Sequence, residues 1–360
     1  MGFLSKLLRR DSEDALSVPA MDGVFKPNTL LDSAETVLGL PGIDNLVAAA
    51  DGLCCSSGNG VHAVRMQDSA KPIANFAGPV TMMAASPSGR LAVGVEGGGL
   101  HILEGGAWCA FDLPADCASC LTAGAFVDED VLLVAVGSRR HSASEWKRDL
   151  MARGATGAIL RCRLSTGEHE IVADGLAFPY GLALMADGRL AVSESWRHRI
   201  IALSAAPGGA PEVLVADLPA YPARLAPATD GGFWLALFAP RRQLTEFVLT
   251  EDDYRHEMIA TIPPDEWIGP DFFDSGDGQQ PLQAGSVRQM GIMKPWAPSR
   301  SYGLVAKLDR GMNPVASLHS RADGQRHGIA SAVEFGGAVY AASRGSGTLL
   351  RLGVGAGGPT

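Results

Sequence analysis

This 360-residue sequence predicts an all-β fold, a six-bladed β-propeller. Two observations carry the expectation. Short apolar runs joined by tight turns recur, with turn signals near positions 52, 89, 130, 188 and 231, at intervals of 37, 41, 58 and 43 residues. Periods of about 40 to 50 residues belong to four-stranded blades rather than to helical repeats. The connections are also too short to hold the amphipathic helices that a parallel α/β sheet requires. A single β-sandwich leaves the repetition unexplained.

The stretch Phe178–Ile200 shows one unit. Gly181–Leu184 reads as an innermost strand, Asp187-Gly188 as a turn, Leu190–Ser193 as a second strand, and a third starts at Arg199. Asp-Gly between apolar runs favours a turn because it tolerates positive φ. A meander this small cannot bury its own apolar face, so further copies must stack on it. Residues 1–35 read as a leader. The first unit starts at Ile43 and continues through Val61–Val64, and the second has strands at Val80–Ala85, Leu91–Val95 and Leu100–Leu103. The third runs through Leu121–Val127, Val131–Val136 and Gly157–Leu164, and the fifth through Ala223–Pro227 and Phe233–Phe238. The sixth holds Gly328–Phe335, Ala338–Ala342 and Thr348–Leu352, so the propeller spans 36–352 and leaves 353–360 as a tail. Six units close a ring around a channel lined by the innermost strands.

Two insertions break the period. Residues 137–156 read as a loop and a short helix capped by Ser142 or Ser144, with Glu145 in its first turn. Residues 239–300 form a helical and irregular cap in the fifth blade, with Arg242–Ala260 partly helical and Pro263-Pro264 as a stop. Both are expected to cap the same rim of the channel.

Lys and Arg number 30 against 39 Asp and Glu, a formal charge of −9. Nucleic-acid binding needs a concentrated basic surface, so nucleic acid is not an expected partner. Arg139-Arg140 and Arg241-Arg242 read as isolated pairs on loop surface. No apolar run reaches the ~18 residues of a membrane span. Phe3, Leu4, Leu7 and Leu8 share a helical face opposite Lys6, Arg9 and Arg10, so residues 1–10 read as a frayed tail capable of weak peripheral membrane contact. No secretory h-region is visible, which makes the expected location cytoplasmic and the six cysteines free thiols. Cys117 and Cys120 have CxxC spacing but no second pair, and read as small buried hydrophobes rather than a metal cluster.

Three stretches are more specific: Glu145–Leu150 before Thr156–Arg161, Asp174–Leu184, and Ala216–Pro222 before Gly232-Phe233-Trp234. Through them, residues 40–350 resemble the strictosidine-synthase-like branch of the six-bladed propeller superfamily that also holds gluconolactonases and paraoxonases. In the metal-dependent relatives, carboxylates and asparagines at innermost-strand ends hold a calcium-type ion that polarises an ester or lactone carbonyl. The resemblance places these positions at Asp44 with Asn45, Ser119, Tyr180 and Ala223-Arg224. Only Asp44 remains a good hard-cation ligand, and an inward-pointing Arg224 opposes a cation. No metal and no cofactor are therefore expected, which argues against a calcium-dependent lactonase or esterase. The synthase's acid–base glutamate, counted back from Glu334-Phe335-Gly336-Gly337, falls close to His327.

His327 is accordingly the candidate acid–base residue, with Asp44 beside it; the alternative is a hydrogen-bonded loop histidine. Arg224 is a candidate fork for a carboxylate, or else one half of a salt bridge with Asp44 where the metal used to be. Tyr180 either donates to a ligand or fills the channel. Ser119 joins them as a candidate substrate contact. His141, Trp146, Trp267 and Trp296 lie in the insertions, where they either close over a ligand or pack the cap. Glu194 reads as a blade-to-blade hydrogen-bond anchor. Residues 44, 119, 180, 224 and 327 are expected to be neighbours at the channel mouth. The functional expectation is a metal-independent, strictosidine-synthase-like enzyme acting on an anionic or zwitterionic small molecule, by hydrolysis or C–N bond chemistry. The alternative is a non-catalytic ligand-binding or scaffolding propeller.

Overall fold

The computed structural model describes residues 17–49, 52–65, 69–273, 288–289, 292–294, 297 and 299–353. Six four-stranded antiparallel sheets are arranged as blades. Their innermost strands are Ile43–Ala49, Val80–Ala85, Leu121–Phe126, Pro179–Leu184, Ala220–Pro227 and Ile329–Phe335, in blades one to six. The predicted all-β six-bladed propeller is the observed fold.

Each blade buries its faces against its neighbours. Between blades three and four, Leu133, Ala135 and Ile159 pack with Leu182, Val192 and Ile201 in one apolar cluster. Gly181 sits where blade four meets blade five, and a Cβ there would collide with the Ala223 carbonyl, the Ser193 hydroxyl and the Leu225 amide. The Asp187-Gly188 turn has its glycine at φ 82°, the conformation that turn requires.

The sixth blade closes differently from its sequence pattern. Its outer strand is Glu35–Gly39, paired antiparallel with Thr348–Leu352. The chain's two ends thus share one sheet, and the ring is closed by hydrogen bonds rather than by an open edge. The segment before that strand lies along blade five: Asn28 donates to the Ser317 carbonyl and accepts from the His319 amide, and Leu31 is buried. The expected membrane-contacting tail, residues 1–10, lies outside the described residues.

In the first insertion a 3-10 turn, Ala143–Glu145, starts at a capping box of Ser142 and Glu145. It runs directly into a helix at Trp146–Met151. The second insertion holds two helices, Gln243–Thr250 and Asp252–Thr261. The insertions touch: Lys147 Nζ is 2.8 Å from Asp271, and Arg255 donates to the Met151 carbonyl at 2.6 Å. Arg242 is buried and the Arg241 side chain is largely covered, rather than exposed on a loop. Arg241 bridges Asp217 and Glu246, which ties the helix Gln243–Thr250 to the ring. No helix among the described residues is long and apolar enough to cross a membrane.

Candidate functional site

A cavity of about 320 Å³ opens where the innermost strands begin. Asp44, Thr81, Thr122, Tyr180 and Arg224 line its floor, one from each of blades one to five. Arg224 is the hub of this floor. Its Nη1 donates to Asp44 Oδ1 at 2.6 Å and to the Ala330 carbonyl at 3.4 Å. Its Nε and Nη2 donate to the carbonyls of Thr122 and Thr81, at 3.1 and 2.8 Å. The guanidinium also lies 5.0 Å from the centre of the Tyr180 ring. One side chain therefore touches all five of the other blades.

Asp44 carries a second guanidinium, with Arg344 Nη1 3.1 Å from its Oδ2. Burial alone would raise this carboxyl, but Arg224 and Arg344, helped by the Asn45 amide, hold it below the usual carboxylate range. Burial pushes the Tyr180 phenol up, and the nearby Asp44 charge adds to this, although both arginines oppose it. Tyr180 is thus a neutral donor around neutral pH.

The walls are aromatic. Phe178 stacks on Trp196 at 4.4 Å and Phe238 on Phe272 at 4.9 Å, while Trp146 meets Phe238 and Phe272 edge-on. Phe178 adopts φ 54°, costly for an aromatic residue and typical of ligand-binding sites where the surroundings enforce it. Asp149, buried in the helix Trp146–Met151, accepts from Trp196 Nε1 at 2.8 Å and from His141 Nδ1 at 3.0 Å. It fixes the orientation of the Trp196 wall.

Among the sequence candidates, Asp44, Tyr180, Arg224 and Trp146 meet at the cavity. His327 does not line it. Its Nε2 lies 2.8 Å from the Arg321 carbonyl and its Nδ1 2.8 Å from Ser301 Oγ. A carbonyl only accepts, so Nε2 carries the proton, and in the neutral ring Nδ1 accepts from Ser301. Both nitrogens are thus turned between blades five and six, the geometry of the hydrogen-bonded loop histidine. Ser119 follows the short helix Ala115–Ala118, and its carbonyl receives the Ala143 amide. This contact anchors the first insertion, and Ser119 is absent from the cavity lining. Trp267 is fully buried, donates to the Ile262 carbonyl at 2.7 Å and lies under Arg148, so it packs the cap. His141 pairs with Asp149 behind the wall rather than lining the cavity. Trp296 lies outside the described residues. Glu194 is fully buried and accepts from the Ala177 amide, which joins blades three and four, and from Arg197 and Arg199. Cys117 and Cys120 are buried, and burial raises their thiols to about 11 and about 12.

Sequence reasoning missed Arg344, Glu96, Phe178, Trp196, Phe238 and Phe272, all of which line the cavity. A signal for three of them was present. In an antiparallel pair the second strand ends at the rim where the first begins. Glu96 follows Leu91–Val95, Arg344 follows Ala338–Ser343, and Trp196 comes just after Leu190–Glu194.

No family model matches the chain. In sequence it is similar to strictosidine synthase-like protein 13 of Arabidopsis thaliana, 32% identical over 129 residues, 35% of this chain and 32% of that protein. It is also similar to the adipocyte plasma membrane-associated protein of Danio rerio, 29% identical over 108 residues, 28% of this chain and 26% of that protein. The matched segments span about a third of these curated relatives or less. In structure the chain is similar to a regucalcin from Agrobacterium tumefaciens, with a TM-score of 0.56 at 11% identity over 91% of this chain and 94% of that one. It is likewise similar to a gluconolactonase from Xanthomonas campestris, with a TM-score of 0.56 at 11% identity over 89% and 88% of the two chains. The chain therefore has strictosidine synthase-like sequence over part of its length and the six-bladed fold of the gluconolactonase group.

That regucalcin is described as calcium-binding, and this chain's residues do not fit such an ion. A hard cation needs some six to eight oxygen ligands. Here the oxygens of Asp44, Thr81, Thr122 and Ala330 already receive Arg224 N–H groups. Buried Asn45 Oδ1 has no hydrogen-bond partner, but a single amide oxygen beside a fixed guanidinium is not a calcium cage.

Proposed function

We propose that this protein is a strictosidine-synthase-like small-molecule enzyme whose substrate occupies the aromatic channel mouth and is a polar organic anion or zwitterion. The reaction class is hydrolysis or C–N bond chemistry without a channel metal, and the expected location is cytoplasmic. The observation that carries this reading is the cavity itself. Its enclosing walls are aromatic, and a few polar groups, Tyr180, Arg224, Arg344 and Glu96, line it with them. That is the usual make-up of a small-molecule site. The fold similarity to a gluconolactonase and the partial sequence similarity to strictosidine synthase-like proteins support it.

Asp44 is ionised but engaged by two arginines, which removes it as a base. The neutral Tyr180 phenol and the Arg344 guanidinium are the groups suited to hold a carbonyl oxygen and stabilise charge developing on it. His327 takes no direct part in this arrangement. Its commitment to Ser301 and Arg321 favours a second reading, a propeller that binds its ligand without turning it over.

Incubation with lactones, esters, and amine–aldehyde pairs, each with and without a carboxylate, separates the two. Product detected by mass spectrometry in calcium-chelated buffer, and lost in Tyr180→Phe, supports the enzyme. Ligand-induced thermal stabilisation without product supports the binding reading. Neither product nor stabilisation from any member overturns both.

A further inference from the structure

The two guanidiniums at the channel mouth have different surroundings. Arg224 has its side chain only 10% exposed, and its N–H groups serve Asp44 and three backbone carbonyls. Arg344 touches the same carboxylate through one nitrogen, hydrogen-bonds Tyr180, remains 35% exposed, and has its guanidinium carbon 4.0 Å from the centre of the Phe272 ring. Both line the cavity, but Arg344 is the one that can offer donors to a ligand.

The charge balance points the same way. Asp44 supplies one negative charge between two positive ones. Glu96, the other acid on the lining, is turned to Ser144, its two oxygens accepting from that residue's amide at 3.0 Å and hydroxyl at 2.6 Å. Around Asp44 the two guanidiniums thus carry one positive charge in excess of that carboxylate, while Glu96 balances the lining as a whole, so the pull on an anion is local to the arginines.

The wall beside Arg344 is specific as well. Phe272 and Trp146 form an aromatic cluster backed by the fully buried Phe238, with ring centres 4.9 to 5.6 Å apart. A flat ring placed on this cluster gains offset or edge contacts beyond its area burial. Simple anions use none of that surface, and an aliphatic acid gains area burial without the ring contacts.

Resting on the reading that the channel mouth is the ligand site, we infer that it recognises an aromatic monocarboxylate, with the carboxylate on Arg344 and the ring against Phe272 and Trp146. Arg224 contributes by holding Asp44 and the floor in place. A zwitterionic aromatic acid shares this recognition, and its ammonium group is not required.

The test uses trans-cinnamate as probe, with cinnamyl alcohol as the ring without the charge and hexanoate as the charge without the ring. Tryptophan fluorescence and calorimetry read binding to the full chain. Cinnamate is expected to bind about tenfold more tightly than either comparator, since a lost ion pair or a lost ring contact each removes about a factor of ten. Arg344→Gln is expected to reduce that preference over cinnamyl alcohol from about tenfold to about one. Phe272→Leu, which keeps the charge, is expected to reduce the preference of cinnamate over hexanoate. Equal binding of cinnamate and cinnamyl alcohol to the wild type, or an unchanged preference in Arg344→Gln, overturns the inference. Should hexanoate or a lactone bind and cinnamate not, the ligand class is wrong while the small-molecule site stands. Should none of these probes or the wider panel change fluorescence or melting temperature, both readings fall.

Discussion

Arg224 and Asp44, 180 residues apart in the chain, meet at 2.6 Å in the channel. Through that contact and its carbonyl partners, the guanidinium links blade five to blades one, two, three and six. It donates to one carboxylate and three backbone carbonyls near the strand starts where the resemblance expects the ligands of a metal ion. The salt bridge proposed from sequence as the alternative to ligand binding is the arrangement observed.

Replacing Arg224 by methionine leaves Asp44 with Arg344 alone and leaves three buried carbonyls without their donor. Breaking a buried ion pair by removing one partner costs roughly 3–5 kcal/mol. Chemical denaturation of Arg224→Met should show a loss of that order. A stability within ~1 kcal/mol of the wild type would mean the hub is not structural.

Calcium should not bind in this channel. Dialysed protein compared in chelator and in millimolar calcium should give the same melting temperature, because a ligand that binds only the folded state at micromolar affinity would raise it measurably. One equivalent of tightly held calcium would contradict the assignment of Arg224 to the ion's position.

His319 predicts the direction of acid sensitivity. Burial lowers its pKa from the usual 6.5 to about 4, and its ring sits between Tyr302 and Ser317. Between those values the unfolded chain takes up a proton that the folded chain refuses. The contribution is therefore complete above about pH 6.5 and is lost as pH falls toward 4, a change of ~3 kcal/mol. Buried His198, lowered by burial and by Arg241, acts in the same sense. Melting temperature followed from pH 7 to pH 4 should fall, and His319→Gln should show a shallower slope even if it is less stable throughout. An identical slope in the variant would rule this out.

Trp267 and Trp146 should separate packing from binding. Trp267 is fully buried in the cap, so Trp267→Ala should lose about 3–5 kcal/mol of stability. The refolded variant should keep the wild-type affinity for any channel ligand. Trp146→Ala removes part of the cavity wall and should weaken such a ligand. Equal effects of the two substitutions on affinity would place Trp267 at the site after all.

The blades were legible because their signal is local. Asp187-Gly188 turns a chain wherever it occurs, and alternating apolar runs such as Leu190–Ser193 must bury one face. The capping box at Ser142 and Glu145 was equally readable, since it lies within four residues. The closing strand Glu35–Gly39 was not, because its partner Thr348–Leu352 is at the other end of the chain and neither segment marks the other.

The site followed the same division. Counting innermost-strand starts placed Asp44, Tyr180 and Arg224 together at the channel mouth, where the structure has them. The same counting misplaced His327, because position along a strand does not determine where a ring points. Its hydrogen bonds to Ser301 and Arg321 turn it away from the cavity. Arg344 was marked only by its place after the second strand Ala338–Ser343, and Phe272 reaches the site through the cap's fold. Sequence alone determined the repeat, the six-bladed ring and the Asp44 and Arg224 pair at its centre. Which side chains face the cavity was decided by tertiary packing, because rotamer and partner depend on neighbours from other blades that no local pattern specifies.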